Sequence, residues 1–388
     1  ACSPAQEHQS IDLLLESAVA NGGVPGAIAV AANSDGVIYE GAFGKSDIQS
    51  NSDMSIDSIL QIYSMTKPVT SVAIMQLVEK GDIDLDAAAS EYLPMLADVQ
   101  VLDGFDENGA PLLRTPKTDV TVRQLLTHTS GYVYEIWNAN AARYAQTGGV
   151  ESIFNDGDGF LAAPLAFDPG TNWEYGISTD VLGEIIAAVA EQSLEEYFRI
   201  HVFAPLNMND TSFHLAEQDL PRLASAYSRS GNGDLTPLPA RSNTASLRGG
   251  SGLVSTAPDY IRFLRALLNG GELDGARILN AETVELMAKN QIGDLEAGAS
   301  GISVMPQLSR TFEFFPESVD KFGLGFLING EPVPGGRAAG SLAWAGLANT
   351  FFWIDFENDM CGVVMTQILP FGDPAALALL EDFERAVY

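Results

Sequence analysis

Hydrophobic residues follow two periods that alternate along the chain. Ile11, Leu14, Leu15 and Val19 share one face of a helix over 11–20. Two short apolar runs, 27–32 and 37–43, are split by Asn33-Ser34-Asp35-Gly36, which predicts a hairpin. From Ser64 the helical period returns, with Val69, Val72, Ala73, Leu77 and Val78 apolar and Lys80-Gly81 at its end. The middle of the chain reads as helices, the better ones at 122–128, 179–190 and 194–202. Loops rich in proline and glycine break it at 104–116, 156–170 and 231–240. Strand character comes back at 322–328, 342–345, 350–355 and 361–367, with Glu357-Asn358-Asp359 as a hairpin turn, before an amphipathic helix over 375–387.

Strands at both ends with helices between predict an α+β chain. One antiparallel sheet is built from both termini and flanked by the terminal helices, and a mainly helical domain is inserted in it. The expected boundaries are 1–66 with 246–388 for the sheet domain and 67–245 for the helical domain. A site belongs in the cleft between them.

Composition narrows the function. The chain has 388 residues, 46% of them hydrophobic, enough for a large core. Its 20 Lys plus Arg against 51 Asp plus Glu give a net charge of -31. That excludes an ordinary polyanion-binding surface, so nucleic acid is not an expected partner, and it argues against docking on anionic lipid. The charge reads as a strongly solvated surface suited to salty water. No run approaches the roughly 20 apolar residues of a membrane helix. Ala1-Cys2 followed by a polar stretch over 3–10 resembles the cleavage point of a bacterial lipoprotein precursor. The expectation is a periplasmic or cell-envelope protein, lipid-anchored at Cys2, with a cytoplasmic or secreted one as the alternative.

Metal and nucleotide chemistry lack a local signal. His8, His128, His201 and His214 are scattered, and Cys2 and Cys361 form no CxxC. The turn at 103–109 is out of register for a calcium loop, since counting Gly109 as sixth puts Gly104 first. Gly44-Lys45-Ser46 fails as a phosphate loop because position 39 is Tyr39. No metal or cofactor is expected.

Nucleophilic catalysis has one good candidate. A GxSxG elbow is missing, since Gly249-Gly250-Ser251-Gly252 runs into Leu253. Ser64-Met65-Thr66-Lys67 is a Ser-x-x-Lys at a helix start. There i and i+3 share a face, a desolvated lysine can take or relay the serine proton, and the helix dipole favours an oxyanion. A second copy, Ser318-Val319-Asp320-Lys321, lies in a charged, proline-flanked loop and reads as structural.

Six stretches in order resemble the serine β-lactamase and penicillin-recognising family, in the class C-like branch that includes the family VIII carboxylesterases. They are Tyr63-Ser64-Met65-Thr66-Lys67-Pro68, Leu125-Leu126-Thr127-His128-Thr129-Ser130-Gly131, Pro169-Gly170 through Trp173-Glu174-Tyr175, Pro205-Leu206-Asn207-Met208 with Asp210-Thr211, Gly252-Leu253-Val254-Ser255-Thr256, and Trp344-Ala345-Gly346. The resemblance implies a β-lactamase/transpeptidase-like fold. It makes Ser64 the acylated nucleophile, Lys67 its proton partner and Tyr175 the third catalytic residue, and it puts the oxyanion hole at the backbone N–H groups of Ser64 and Leu347. A free tyrosine titrates at about 10, so a phenolate base needs a cation such as Lys67 beside it. His128 then reads as structural, because the proton work is already assigned.

Two departures from the class C pattern favour esters. Ile177 stands where Tyr-x-Asn has its asparagine, and Trp344-Ala345-Gly346 stands where those enzymes have Lys-Thr-Gly. Losing both removes about 2–4 kcal/mol of polar binding to a carboxylate and an amide. Tyr132, Tyr134 and Trp137 complete the expected cleft wall, together with Ile177, Trp344, Ala345 and Gly346. The expected activity is carboxylesterase hydrolysis of a small, short-chain ester through an acyl-Ser64 intermediate, with weak β-lactam turnover as a side reaction. A β-lactamase, a D-amino acid peptidase or carboxypeptidase, a transacylase and a non-catalytic penicillin-binding-like module are the alternatives. No motif speaks to oligomeric state.

Overall fold

The computed structural model describes residues 4–20, 22–241, 243 and 246–388. Cys2, the expected anchor, lies outside the described residues. The largest element is a sheet of eight strands: β1 (Gly26–Ala32), β2 (Val37–Asp47), β3 (Ser52–Asp53), β4 (Lys321–Phe322), β5 (Leu327–Ile328), β6 (Leu342–Gly346), β7 (Thr350–Asp355) and β8 (Met360–Met365). Its order is β4-β5-β6-β7-β8-β1-β2-β3, antiparallel throughout. The two ends of the chain meet where β1 pairs with β8, Val30 opposite Val363.

Side-chain alternation sends β1 two ways. Ala27, Ala29 and Ala31 face the terminal helices Pro4–Ala20 and Pro374–Val387, packing with Ile11, Leu15, Val364, Leu379 and Phe383. Ile28, Val30 and Ala32 face the larger core on the other side. There the sheet carries a helix that the hydrophobic pattern did not predict, Ala257–Leu268. The Thr256 side chain caps it by accepting the Asp259 N–H, and Pro258 sits in its first turn.

The expected single strand over 322–328 is instead a hairpin, β4 with β5, because Gly323 and Gly325 turn the chain between them. The expected loops also hold structure. Val101–Phe105 pairs with Pro111–Arg114 around a turn held by Asp106, and Leu235–Pro237 pairs with Tyr227–Arg229.

Helix Thr66–Lys80 runs through the middle of the larger core, buried on all sides from Thr66 to Leu77. A helix enclosed this way has little freedom to shift. It packs on helix Ser178–Ala190 and ends at Gly81 in the left-handed region, as Lys80-Gly81 predicted.

Candidate active site

Ser64 lies in a single 3-10 turn, Tyr63–Met65, between the short strand Leu60–Gln61 and helix Thr66–Lys80. That strand pairs with Val254–Ser255, and the Ile62 N–H donates to the Leu253 carbonyl at 3.1 Å, so the entry to the turn is fixed. Tyr63 takes a φ of 43°, a left-handed conformation that costs a non-glycine residue about 1–3 kcal/mol. The sharp bend delivers Ser64 to the head of a rigid helix.

One turn later Lys67 is 2% exposed. Its Nζ lies 3.3 Å from Ser64 Oγ, 2.9 Å from the Tyr134 hydroxyl and 2.8 Å from the Gly250 carbonyl oxygen. The three donors of an ammonium match these three acceptors. Tyr175 approaches from the facing side, its hydroxyl 2.6 Å from Ser64 Oγ. The residue after it must be small, since a Cβ on Gly176 would stand 2.1 Å from the Tyr132 carbonyl oxygen. The Tyr175 ring is held by His128, Tyr134, Trp137 and Trp344, with ring centroids 4.8 to 5.6 Å away.

Ser64 and Tyr175 open on a pocket of roughly 430 Å³. Trp344, Ala345, Gly346 and Leu347, from β6 and the residue after it, line one side. Trp137, Trp173, the 298–300 segment, Phe312, Phe314 and Phe371 make up the rest. None of the lining side chains is charged. Ser64 and Leu347, the two residues whose backbone N–H groups the family resemblance proposes for an oxyanion hole, both line it.

Three expected wall residues lie elsewhere. Tyr134 stands behind the nucleophile with its hydroxyl on Lys67; burial pushes that hydroxyl well above the usual tyrosine range, and the neighbouring Asp180 and Tyr175 add to this. Tyr132 is a core residue, 1% exposed. Ile177 caps helix Ser178–Ala190 and faces a separate pocket, with Val133, Phe160 and Leu165. Tyr132 and Tyr134 directly follow the sharp turn at Gly131, φ 97°, after which the chain is buried.

His128 takes a φ of 57°, and its Nδ1 accepts the Gly176 N–H at 3.4 Å. Burial and the Lys67 charge hold it well below the usual histidine range, so it is a neutral support for the Tyr175 segment. Ser318 and Lys321 do not meet. Ser318 Oγ donates to Asp320 and Lys321 Nζ to the Leu295 carbonyl. Among the described residues no cluster of three or more His, Cys, Asp or Glu is placed to hold a metal, and no helix is long and apolar enough to cross a membrane.

Sequence reasoning marked 295–320 as a cleft-wall loop without placing it, and so did not single out the 298–300 and 312–314 walls or the Gly250 carbonyl. The aromatic density of Phe312, Phe314 and Phe315 was a signal for the first; nothing local announces the second.

The family model for beta-lactamase matches residues 11–386. The chain belongs to the beta-lactamase family. It is 30% identical over 394 residues to ML-236A carboxylate methylbutanoyltransferase of Penicillium citrinum, covering 97% of this chain and 93% of that one. Over 401 residues it is 30% identical to lovastatin esterase of Penicillium rubens, covering 97% and 98%. Among solved structures it superposes on unliganded simvastatin synthase (LovD) of Aspergillus terreus with a TM-score of 0.86 at 29% identity, over 100% of this chain and 98% of that one. The β-lactamase/transpeptidase-like fold, an antiparallel sheet flanked by helices, is therefore that of this beta-lactamase family member. It is an enzyme of the serine hydrolase and acyltransferase kind.

Proposed function

We propose that this protein is a carboxylesterase of the family VIII type, cleaving small neutral esters through an acyl-Ser64 intermediate. Ser64 attacks the ester carbonyl while its proton passes to the Lys67–Tyr175 pair. The backbone N–H groups of Ser64 and Leu347 receive the oxyanion. The alcohol leaves with a proton from Tyr175, and water, deprotonated by the same pair, releases the acid. The observation that carries this reading is the placing of Ser64 Oγ within 2.6 Å of Tyr175 and 3.3 Å of Lys67 at the end of an uncharged, aromatic pocket.

That pocket disfavours β-lactams and D-amino acid peptides, whose carboxylate needs a cation that the lining lacks. A second reading keeps the acyl-enzyme and gives it to an alcohol instead of water. It draws on the relative named for methylbutanoyl transfer.

The test is hydrolysis of p-nitrophenyl butyrate by the wild type and by Ser64→Ala. Turnover lost in the variant supports the reading, and turnover surviving in it overturns the nucleophile. Adding a primary alcohol to the wild-type reaction separates the two readings, since a transferase passes the butyryl group from acyl-Ser64 to the alcohol, so the new ester forms in place of free butyrate.

A further inference from the structure

Behind Lys67, away from the substrate pocket, stands a buried carboxylate with no part in the acyl chemistry above. Asp180 lies in the first turn of helix Ser178–Ala190 and is 2% exposed. Its Oδ1 accepts the Gly250 N–H at 3.0 Å, while Oδ2 is buried without a completed hydrogen bond. A carboxylate enclosed in this way is costly to keep, so what it holds in place is informative.

Gly250 is the link. Its N–H is on Asp180 and its carbonyl is on Lys67 Nζ at 2.8 Å. A Cβ at this position would stand 2.3 Å from Asp180 Oδ2, and one on Gly249 2.5 Å from the Thr179 carbonyl oxygen. The two glycines let the 249–250 segment press directly on the helix that carries Asp180.

We infer that Asp180 is a positioning residue of the Ser64 site: it sets the Gly250 carbonyl on Lys67 and supplies the negative charge facing that buried ammonium. The inference rests on the acyl-Ser64 reading. The other groups around the pair are Glu184 on the same helix, Arg248 from the 246–252 segment, Tyr134 between Asp180 and Lys67, and Tyr175 and His128 beyond Lys67. His128 is neutral, as argued above, and Tyr134 keeps its proton, so of these groups Asp180 is the carboxylate on which the Lys67 charge acts. Burial lifts the Asp180 carboxyl above its usual range, while Lys67, the Gly250 N–H and Arg248 draw it back.

The charge favours the protonated state of the Lys67–Tyr175 pair. Removing it lets the pair give up its proton more easily. The acid limb of kcat/KM therefore moves to lower pH in Asp180→Asn, by about one unit or more. Asparagine keeps an acceptor for Gly250, so this shift reports charge and not lost support. Asp180→Glu keeps the charge but displaces the carbonyl, so its acid limb stays put while kcat falls at least tenfold.

The experiment measures both variants with p-nitrophenyl butyrate from pH 5 to 9, below their melting temperatures. An unmoved acid limb in Asp180→Asn, or a kcat for Asp180→Glu within threefold of wild type, overturns the inference. Either variant suffices if the other does not fold. Absence of Ser64-dependent turnover in the wild type fails differently, because it removes the acyl-enzyme reading itself.

Discussion

The Tyr175 hydroxyl lies 2.6 Å from Ser64 Oγ although 111 residues separate them in the chain. The contact joins the segment before one buried helix to the head of another, and the Tyr175 ring is packed on several sides by aromatic neighbours. Tyr175→Phe keeps that packing and deletes only the hydroxyl. We expect kcat for ester hydrolysis to fall about 10²- to 10⁴-fold, with the melting temperature within a few degrees of wild type. Steady-state kinetics beside a thermal melt check it, and activity within threefold of wild type would remove Tyr175 from the proton path.

Lys67 bears on activity and stability together. Its ammonium is buried, with the Tyr134 hydroxyl and the Gly250 carbonyl as acceptors besides Ser64. Lys67→Met fills the same space without charge. Two acceptors lose a donor, at about 1–3 kcal/mol each, and the buried Asp180 carboxylate loses the ammonium that acts on it. The expected outcome is loss of ester turnover by about 10³-fold or more together with a melting temperature below wild type. Ester turnover within tenfold of wild type would remove Lys67 from the proton path.

The parts of this site that were legible in sequence are the local ones. Ser64 and Lys67 sit one helical turn apart, and their geometry follows from the i, i+3 rule. Tyr175 was found only through the motif around Pro169-Gly170, because no local period marks a tyrosine that works across a cleft. Tyr134 was visible as an aromatic, but whether it faces substrate or Lys67 depends on how the chain turns at Gly131. Asp180 and Gly250 are 70 residues apart, and their contact depends on two glycines pressing against a helix, which no single-segment pattern reports. The fold follows the same rule. The fully buried, mainly apolar strands β1, β7 and β8 were readable, whereas 322–328 was read as one strand because its apolar residues outweighed the two glycines that bend it.

Arg337 and Glu384 fasten the 331–337 loop to the last helix. Both are buried, Glu384 Oε1 accepts from the Arg337 backbone N–H and Nε at 2.9 and 2.8 Å, and Nη2 reaches Oε2 at 2.5 Å. Burial pushes the Glu384 carboxyl up and Arg337 more than reverses it, so it titrates below its usual range. A carboxyl lowered in the folded state stabilises above the unfolded value of about 4.3, and that contribution is lost as pH falls through the folded value. Glu384→Ala leaves the guanidinium unpaired and should cost about 3–5 kcal/mol at pH 7. Denaturant titrations should show the gap to wild type narrowing below pH 4; a gap independent of pH would refute the pairing as its source.

The net charge of -31 makes a prediction about salt. Like charges on a compact surface repel, which weakens the folded state most when screening is poor. At 1 M salt the screening length is about 3 Å, against about 30 Å at 0.01 M. The melting temperature should rise as NaCl increases from 0.01 M to 1 M, with ester turnover retained. A steady fall in both would mean that the surface ion pairs outweigh the repulsion.

Asp259 is a buried carboxylate whose effect on stability runs the other way from Glu384. It lies in the first turn of helix Ala257–Leu268, where its Oδ2 accepts the Asp210 N–H and the Thr211 hydroxyl, both at 2.8 Å. Burial pushes its carboxyl up to about 6, against the opposing pull of those two hydrogen bonds. An acid raised in the folded state holds its proton more tightly there than in the unfolded chain. Folding is therefore favoured below the unfolded value of about 4, and stability falls as pH climbs from there to about 6. A difference of about two units corresponds to about 3 kcal/mol of lost stability at neutral pH. Asp259→Asn removes the titration while keeping an acceptor at the same place. Relative to wild type it should gain about 3 kcal/mol between pH 4 and pH 7, whatever fixed offset the amide introduces. Urea unfolding at the two pH values reads the change directly, and a difference that does not move with pH would show that Asp259 remains ionised at little cost.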